Sequence, residues 1–205
     1  MFLYGASGSG KSTFLNLLSG VRDSILKELV RNYFGRIEYV MHESKLLPWH
    51  NLYKNVNVIN SLNGKIDLLI LKTIINSMDL DEDVFQLKPW ELSLGMRQRI
   101  EIAISMANNP RLMIFDEALS GIDNKCKQSL CKDLYFYIKE KNISLIATAH
   151  QISDILRLAE RIIFIENGYI KDSLTVTSLC AKDRLNLDIN QLYALPEARL
   201  LLKLQ

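Results

Sequence analysis

The stretch Gly5-Ala6-Ser7-Gly8-Ser9-Gly10-Lys11-Ser12-Thr13 constrains the fold more than any other, because its Gly-x-x-x-x-Gly-Lys-Ser/Thr spacing belongs to loops that wrap phosphate. Such a loop must leave a strand and enter a helix. Phe2-Leu3-Tyr4 is the apolar run before it, and Phe14-Leu15-Asn16-Leu17-Leu18 is the amphipathic run after it. Gly5, Gly8 and Gly10 let the backbone curl with its N–H groups inward, and Ser7, Ser9 and Thr13 complete the cradle. The helix that starts near Lys11 adds roughly half a positive charge at its N-terminus. The expected ligand is a triphosphate: Lys11 reaches its β- and γ-phosphates, and the Ser12 hydroxyl is a hard oxygen ligand for Mg²⁺.

A chain of 205 residues with 48% hydrophobic content buries one substantial core. The net charge of +2 gives no electrostatic footprint for nucleic acid and no basic patch for an anionic membrane. No apolar run approaches the ~20 residues of a spanning helix, and the start carries no signal-peptide pattern, so a cytosolic chain is expected. Cys126, Cys131 and Cys180 form no CxxC pair and read as reduced structural thiols. His42, His50 and His150 are too scattered for a metal cluster.

Along the chain, a helix runs from Lys11 towards Gly20. Asp23 to Phe34 reads as a second helix, with Leu26, Leu29, Val30 and Tyr33 at helical spacing. Ile37 to Met41 alternates as a strand and ends at His42-Glu43; Pro48 in Leu46-Leu47-Pro48-Trp49 then breaks any continuing element. Residues 51–108 are mostly helical in pattern. Arg111 to Phe115 is a short buried strand closed by Asp116-Glu117, and Asn124 to Lys141 is a helix. A strand from Ile143 to Ala149 ends in His150, Ile152 to Ala159 returns to helix, and Arg161 to Ile165 is a strand before the Asn167-Gly168 turn. This alternation predicts an α/β fold with a mainly parallel sheet and helices on its faces, interrupted by an inserted helical lobe. The expected division is a core of residues 1–44 and 109–172, a helical subdomain of residues 45–108, and a C-terminal extension of residues 173–205. Ligands gather beyond the carboxyl ends of parallel strands, where the phosphate loop, Asp116-Glu117 and His150 all fall. There Asp116 is placed to hold Mg²⁺, and Glu117 to polarise an attacking water.

With these residues in order, the chain resembles the nucleotide-binding subunit of an ATP-binding cassette transporter. The second decisive stretch is Leu92-Ser93-Leu94-Gly95-Met96-Arg97-Gln98-Arg99, similar to the family signature Leu-Ser-Gly-Gly-x-x-Gln-Arg. The resemblance implies a P-loop NTPase core of RecA-like type and a dimer held together by ATP. In that dimer Ser93 and the Gly95 N–H would donate to the γ-phosphate on the second subunit. It implies that Ser120-Gly121-Ile122-Asp123 lies at the subunit contact, with Asp123 among the nucleotide-site residues, and that His150 is a switch histidine at the γ-phosphate. It also implies a membrane permease partner, a solute-binding protein acting through that permease, and a peripheral place on the inner face of the cell membrane. Leu46-Leu47-Pro48-Trp49, Asn55-Val56 and Gly95 to Arg99 look most like importers of the nitrate, sulfonate and taurine type, and the segment from His42 to Val56 would meet the permease.

Three departures from the family pattern carry expectations of their own. The β-rich segment before the phosphate loop, with its adenine-stacking aromatic, is missing, and residues 20–37 lack the usual strand and turn; a truncated chain is one expectation. His42 stands where the family has a glutamine that contacts Mg²⁺ and the attacking water, so it is carried as a catalytic and metal candidate. Leu94 replaces the first signature glycine and would crowd the opposing phosphate loop. The alternative to a working ATPase is a degenerate, non-hydrolysing regulatory subunit paired with an intact homologue.

Overall fold

A computed structural model describes residues 1–22, 25–62, 66–178 and 181–202. Asp23, Cys180 and the last three residues of the expected C-terminal extension, 203–205, lie outside them. The strands are β1 (Phe2–Tyr4), β2 (Ile37–Met41), β3 (Leu112–Asp116), β4 (Ser144–Thr148), β5 (Arg161–Glu166) and β6 (Tyr169–Thr175). They form one sheet in the order β2-β3-β4-β1-β5-β6, parallel from β2 to β5, with β6 antiparallel to β5. The α/β architecture with a mainly parallel sheet is therefore present as expected. The β5–β6 hairpin turns through Asn167 (φ 50) and Gly168 (φ 80), the positive pair a tight hairpin needs. β6 was not legible as a strand because its side chains are almost all exposed, leaving no apolar run to read; it carries the sheet past residue 172.

Helix α1 (Lys11–Ser19) follows the phosphate loop and ends at Gly20, whose φ of 77 closes it. Its Leu15 and Leu18 pack on the sheet face that carries Leu3, Leu112, Ile114 and Ile165. Helix α2 (Ile25–Phe34) leads into β2. The other sheet face, with Phe2, Met113, Phe115 and Ala147, joins the larger core.

The helical lobe comprises α3 (Leu52–Leu62), α4 (Leu68–Ser77), two 3₁₀ turns (Glu82–Gln86 and Pro89–Glu91) and α5 (Leu94–Ala107). Ser93 starts α5 as its N-cap, its hydroxyl accepting the Met96 N–H at 3.2 Å. Asp123 caps α6 (Asn124–Glu140) in the same manner, accepting the Lys125 and Cys126 N–H groups. Helix α7 (Ile152–Leu158) follows His150. The C-terminal helices α8 (Ala181–Arg184), α9 (Ile189–Tyr193) and α10 (Pro196–Leu202) pack against α7. Arg184, itself buried, donates to the carbonyls of Leu156 and Ala159 at the end of α7, and Tyr4 donates its hydroxyl to Leu201 O at 3.2 Å.

Candidate functional site

The phosphate loop is built on close backbone approach. A Cβ on Gly5 would lie 2.1 Å from the carbonyl oxygen of Ile165, so only glycine lets β1 pass β5 there. Gly10, at φ 101, is the left-handed residue that starts α1. Lys11 Nζ donates to Gly5 O and Ala6 O, both at 2.8 Å, and so spans the loop from inside. Burial lowers the Lys11 pKa, against the opposing pull of Glu117 and Asp116.

Strand β3 ends in Asp116, and three side chains fix its carboxylate. Oδ1 accepts from Ser12 Oγ at 3.1 Å and from Thr148 Oγ1 at 2.8 Å, while Oδ2 accepts from Tyr39 OH at 3.2 Å. Thr148 Oγ1 also accepts the Glu117 N–H at 3.1 Å. Glu117 has φ 56, uncommon away from glycine, which turns the chain sharply off the strand. Its Oε1 lies 2.7 Å from His150 Nε2. Ser7, Gly8, Gly10, Lys11, Ser12, Thr13, Glu117 and His150 line one cavity of about 190 Å³. A wider groove of about 750 Å³ between α2, β2 and α3 contains none of them.

Other expected site residues lie outside that cavity's lining. Ser93 and Gly95 sit at the start of α5, against the loop after Glu117, where a Cβ on Gly95 would be 3.1 Å from Gly121 O. Leu94 turns over the same loop of its own chain, where a Cβ on Gly121 would meet Leu94 Cγ at 2.8 Å. Asp123 serves as the α6 cap. His42 pairs with Ser120, Nδ1 to Oγ 2.9 Å, three residues beyond Glu117.

Two neighbours escaped the sequence reading, Tyr39 and Thr148, and a third, Gln98, was read only as part of the signature stretch with no role of its own. Thr148 and Tyr39 hold Asp116; their signal was a polar residue closing an apolar strand and a tyrosine two residues before the end of β2. Gln98 is buried and accepts the Gly121 N–H at 2.9 Å, tying α5 to the loop after Glu117.

Fold and site together define an ATP-binding cassette. The ABC transporter family model matches residues 1–120, and the chain belongs to that family and has its ATPase fold. It is 29% identical over 191 residues to the molybdenum import ATP-binding protein ModC of Haemophilus influenzae, covering 82% of this chain and 51% of that protein. It is 31% identical over 175 residues to the lantibiotic transport ATP-binding protein SrtF of Streptococcus pyogenes, covering 82% of this chain and 75% of SrtF. The chain thus spans about half the length of ModC. Among solved structures, the dimeric post-hydrolysis state of the ATP-binding cassette MJ0796 bound to ADP and Pi is similar at a TM-score of 0.73. There the identity is 25%, over 87% of this chain and 85% of that one. Among the described residues, no helix is long and apolar enough to cross a membrane.

Proposed function

We propose that this chain binds ATP with Mg²⁺ and hydrolyses it, as the ATPase subunit of an ABC transporter. The observation that carries the reading is the closure of one small cavity by the phosphate loop on one side and the Glu117–His150 pair on the other. Lys11 supplies the cation that meets the β- and γ-phosphates, exchanging its carbonyl contacts for phosphate oxygens. Glu117 orients the attacking water and takes its proton, and His150 Nε2, held at 2.7 Å, steadies that carboxylate beside the terminal phosphate.

The donor set suits Mg²⁺. Ser12 Oγ and Asp116 Oδ1 are hard oxygens that converge at 3.1 Å, and Mg²⁺ is commonly held by one or two protein oxygens together with phosphate oxygens and water. Among the described residues no group of three or more His, Cys, Asp or Glu gathers as a self-sufficient metal cage, consistent with a cation that arrives with the nucleotide. When bound, Mg²⁺ would offset the charge developing on the phosphates. His42 meets Ser120 in the loop after Glu117 and does not line the cavity, so Ser12 and Asp116 are the protein oxygens assigned to the cation.

Two such subunits would face each other, with Ser93 and the Gly95 N–H of one closing the phosphate loop of the other and Asp123 at the contact. The dimeric cassette MJ0796 with ADP and Pi supports this arrangement. Permease subunits in the membrane would take up the work, with this chain peripheral on the inner face. Import is supported by the name of ModC, while SrtF is named only for transport. The narrower likeness to nitrate, sulfonate and taurine importers rests on Leu46 to Trp49 and Gly95 to Arg99 alone; the names of these relatives point to molybdenum and a lantibiotic. The degenerate-subunit reading is weakened because Lys11, Ser12, Asp116, Glu117 and His150 are all present in working relation.

The test is ATP binding and Mg²⁺-dependent turnover by the chain, with two variants. Lys11→Ala should abolish binding, and Glu117→Gln should keep binding while losing turnover. Undiminished nucleotide affinity in Lys11→Ala, or turnover surviving in Glu117→Gln, would overturn the assignment.

A further inference from the structure

The carboxylate of Asp116 is not held by the phosphate loop and its neighbouring strand alone. Tyr39, on the sheet's edge strand, also reaches it, and neither the phosphate loop nor the signature stretch includes that residue. Register explains the reach. β2 and β3 run parallel with Met41 opposite Asp116 and Tyr39 opposite Ile114, and parallel neighbours in register present their side chains on one face. Tyr39 lies two residues before Met41 and so shares the face of Asp116, and a phenol is long enough to bridge that offset. Its hydroxyl ends 3.2 Å from Oδ2.

The ring itself is fixed. It packs against the cluster of Leu3, Leu15, Leu18, Leu112 and Ile114 beneath α1. Lys45 Nζ stands 4.8 Å above the ring centroid and donates to the Tyr39 carbonyl at 2.7 Å. The phenol hydroxyl is the donor and the carboxylate oxygen the acceptor.

We propose that Tyr39 is a positioning residue for the metal site: it pins Oδ2 of Asp116, so that Oδ1 faces Ser12 and the two metal-binding oxygens are set before the cation arrives. This rests on reading the cavity as a site for ATP and Mg²⁺. Thr148 and Ser12 both bind Oδ1, and Ser12 must release it to share a cation. The phenol holds the other oxygen, so the carboxylate keeps its orientation through that exchange. Partners that orient a metal ligand in this way commonly change metal affinity by roughly 10- to 100-fold when removed.

Tyr39→Phe keeps the ring, its packing and the lysine above it, and removes only the donor. The experiment compares wild type, Tyr39→Phe and Asp116→Asn by calorimetric ATP affinity in EDTA and across a Mg²⁺ titration, with bound Mn²⁺ read by electron paramagnetic resonance. The expected result is equal ATP affinity in EDTA for wild type and Tyr39→Phe, with half-saturating Mg²⁺ and Mn²⁺ raised roughly tenfold in the variant. A role in folding alone would instead lower the EDTA affinity or leave the metal dependence in place. Unchanged metal dependence in Tyr39→Phe, with a clear shift in Asp116→Asn, would overturn the role of Tyr39 and leave the ATP site standing. Absence of any metal dependence in the wild type would overturn the site assignment and the role of Tyr39 with it.

Discussion

Lys127 and Asp154 form an ion pair at 2.9 Å with side chains 2% and 3% exposed, and they join α6 to α7. Lys127 Nζ also donates to Gln151 Oε1 at 3.3 Å, next in sequence to His150. At that separation and an effective dielectric near 20, the Coulomb attraction is about 6 kcal/mol, which roughly offsets a desolvation cost of several kcal/mol per ion. The pair is therefore close to neutral for stability while each half is expensive alone. Lys127→Met strands a buried carboxylate whose other oxygen, Oδ1, already has no partner, and should cost about 3–5 kcal/mol. Asp154→Leu should cost a similar amount by stranding the ammonium. The double variant Lys127→Met/Asp154→Leu should recover to within about 1 kcal/mol of wild type. Burial already raises the Asp154 pKa against the pull of Lys127. Without Lys127 the folded state holds the Asp154 proton to still higher pH than the unfolded chain does. The Lys127→Met penalty should therefore grow as pH rises from the ordinary carboxylate range and shrink below it. Urea unfolding followed by far-ultraviolet circular dichroism, at two pH values, gives all four corners of the cycle. Single variants within about 1 kcal/mol of wild type, or a double variant no better than the worse single, would refute this reasoning.

Two further outcomes follow from packing. Gly5→Ala places a methyl 2.1 Å from the Ile165 carbonyl and should destabilise the fold by about 1–3 kcal/mol while weakening ATP binding, as read by unfolding and calorimetry together. Cys131 is fully buried and its thiol is pushed up to about 12, so thiol reagents at pH 8 should modify it only as fast as the protein unfolds, and half-buried Cys126 should react before it.

The parts of the site that were legible are those whose geometry is local. The phosphate loop needs glycines at fixed positions and a helix immediately after it, and both needs are written in consecutive residues. Ser93 lies at a helix start because capping couples a side chain to a backbone N–H two or three residues on; Asp123, carried from the sequence only as a subunit-contact residue, proves to cap α6 in the same way. Tyr39 and Thr148 were not legible as partners of Asp116, because they lie 77 and 32 residues away and meet it only through strand order and register. The C-terminal segment was opaque for a related reason. Leu192, Ala198 and Leu201 are fully buried, yet each sits in a helix of seven residues or fewer, too short for periodicity to show which face is covered. His42 was placed by its position relative to other motifs, and its contact with Ser120 depends on how the 117–123 loop folds back.

That loop is one of the places where the helical lobe meets the sheet. At its start the Glu117 N–H is bound to Thr148 on β4, and the Ser120 N–H returns to Glu117 O at 3.1 Å. Further along, Ser120 meets His42 at the end of β2, and Gly121 meets Gln98 on α5. These links are unequal. The His42–Ser120 contact is exposed, so water replaces it readily and its net worth is about 0.5–1.5 kcal/mol. Gln98 is buried with Nε2 already unpaired, so separating it from Gly121 leaves a second buried polar atom without a partner, at roughly 1–3 kcal/mol. A Cβ on Gly121 would come within 2.7 Å of Gln98 Oε1, which leaves little room for sliding at that point. The glutamine, not the histidine, is therefore the stiff connection between the helical lobe and the turn that carries Glu117. A displacement of α5 relative to the sheet would be felt at Gly121 first, and His42–Ser120 is the contact that gives way.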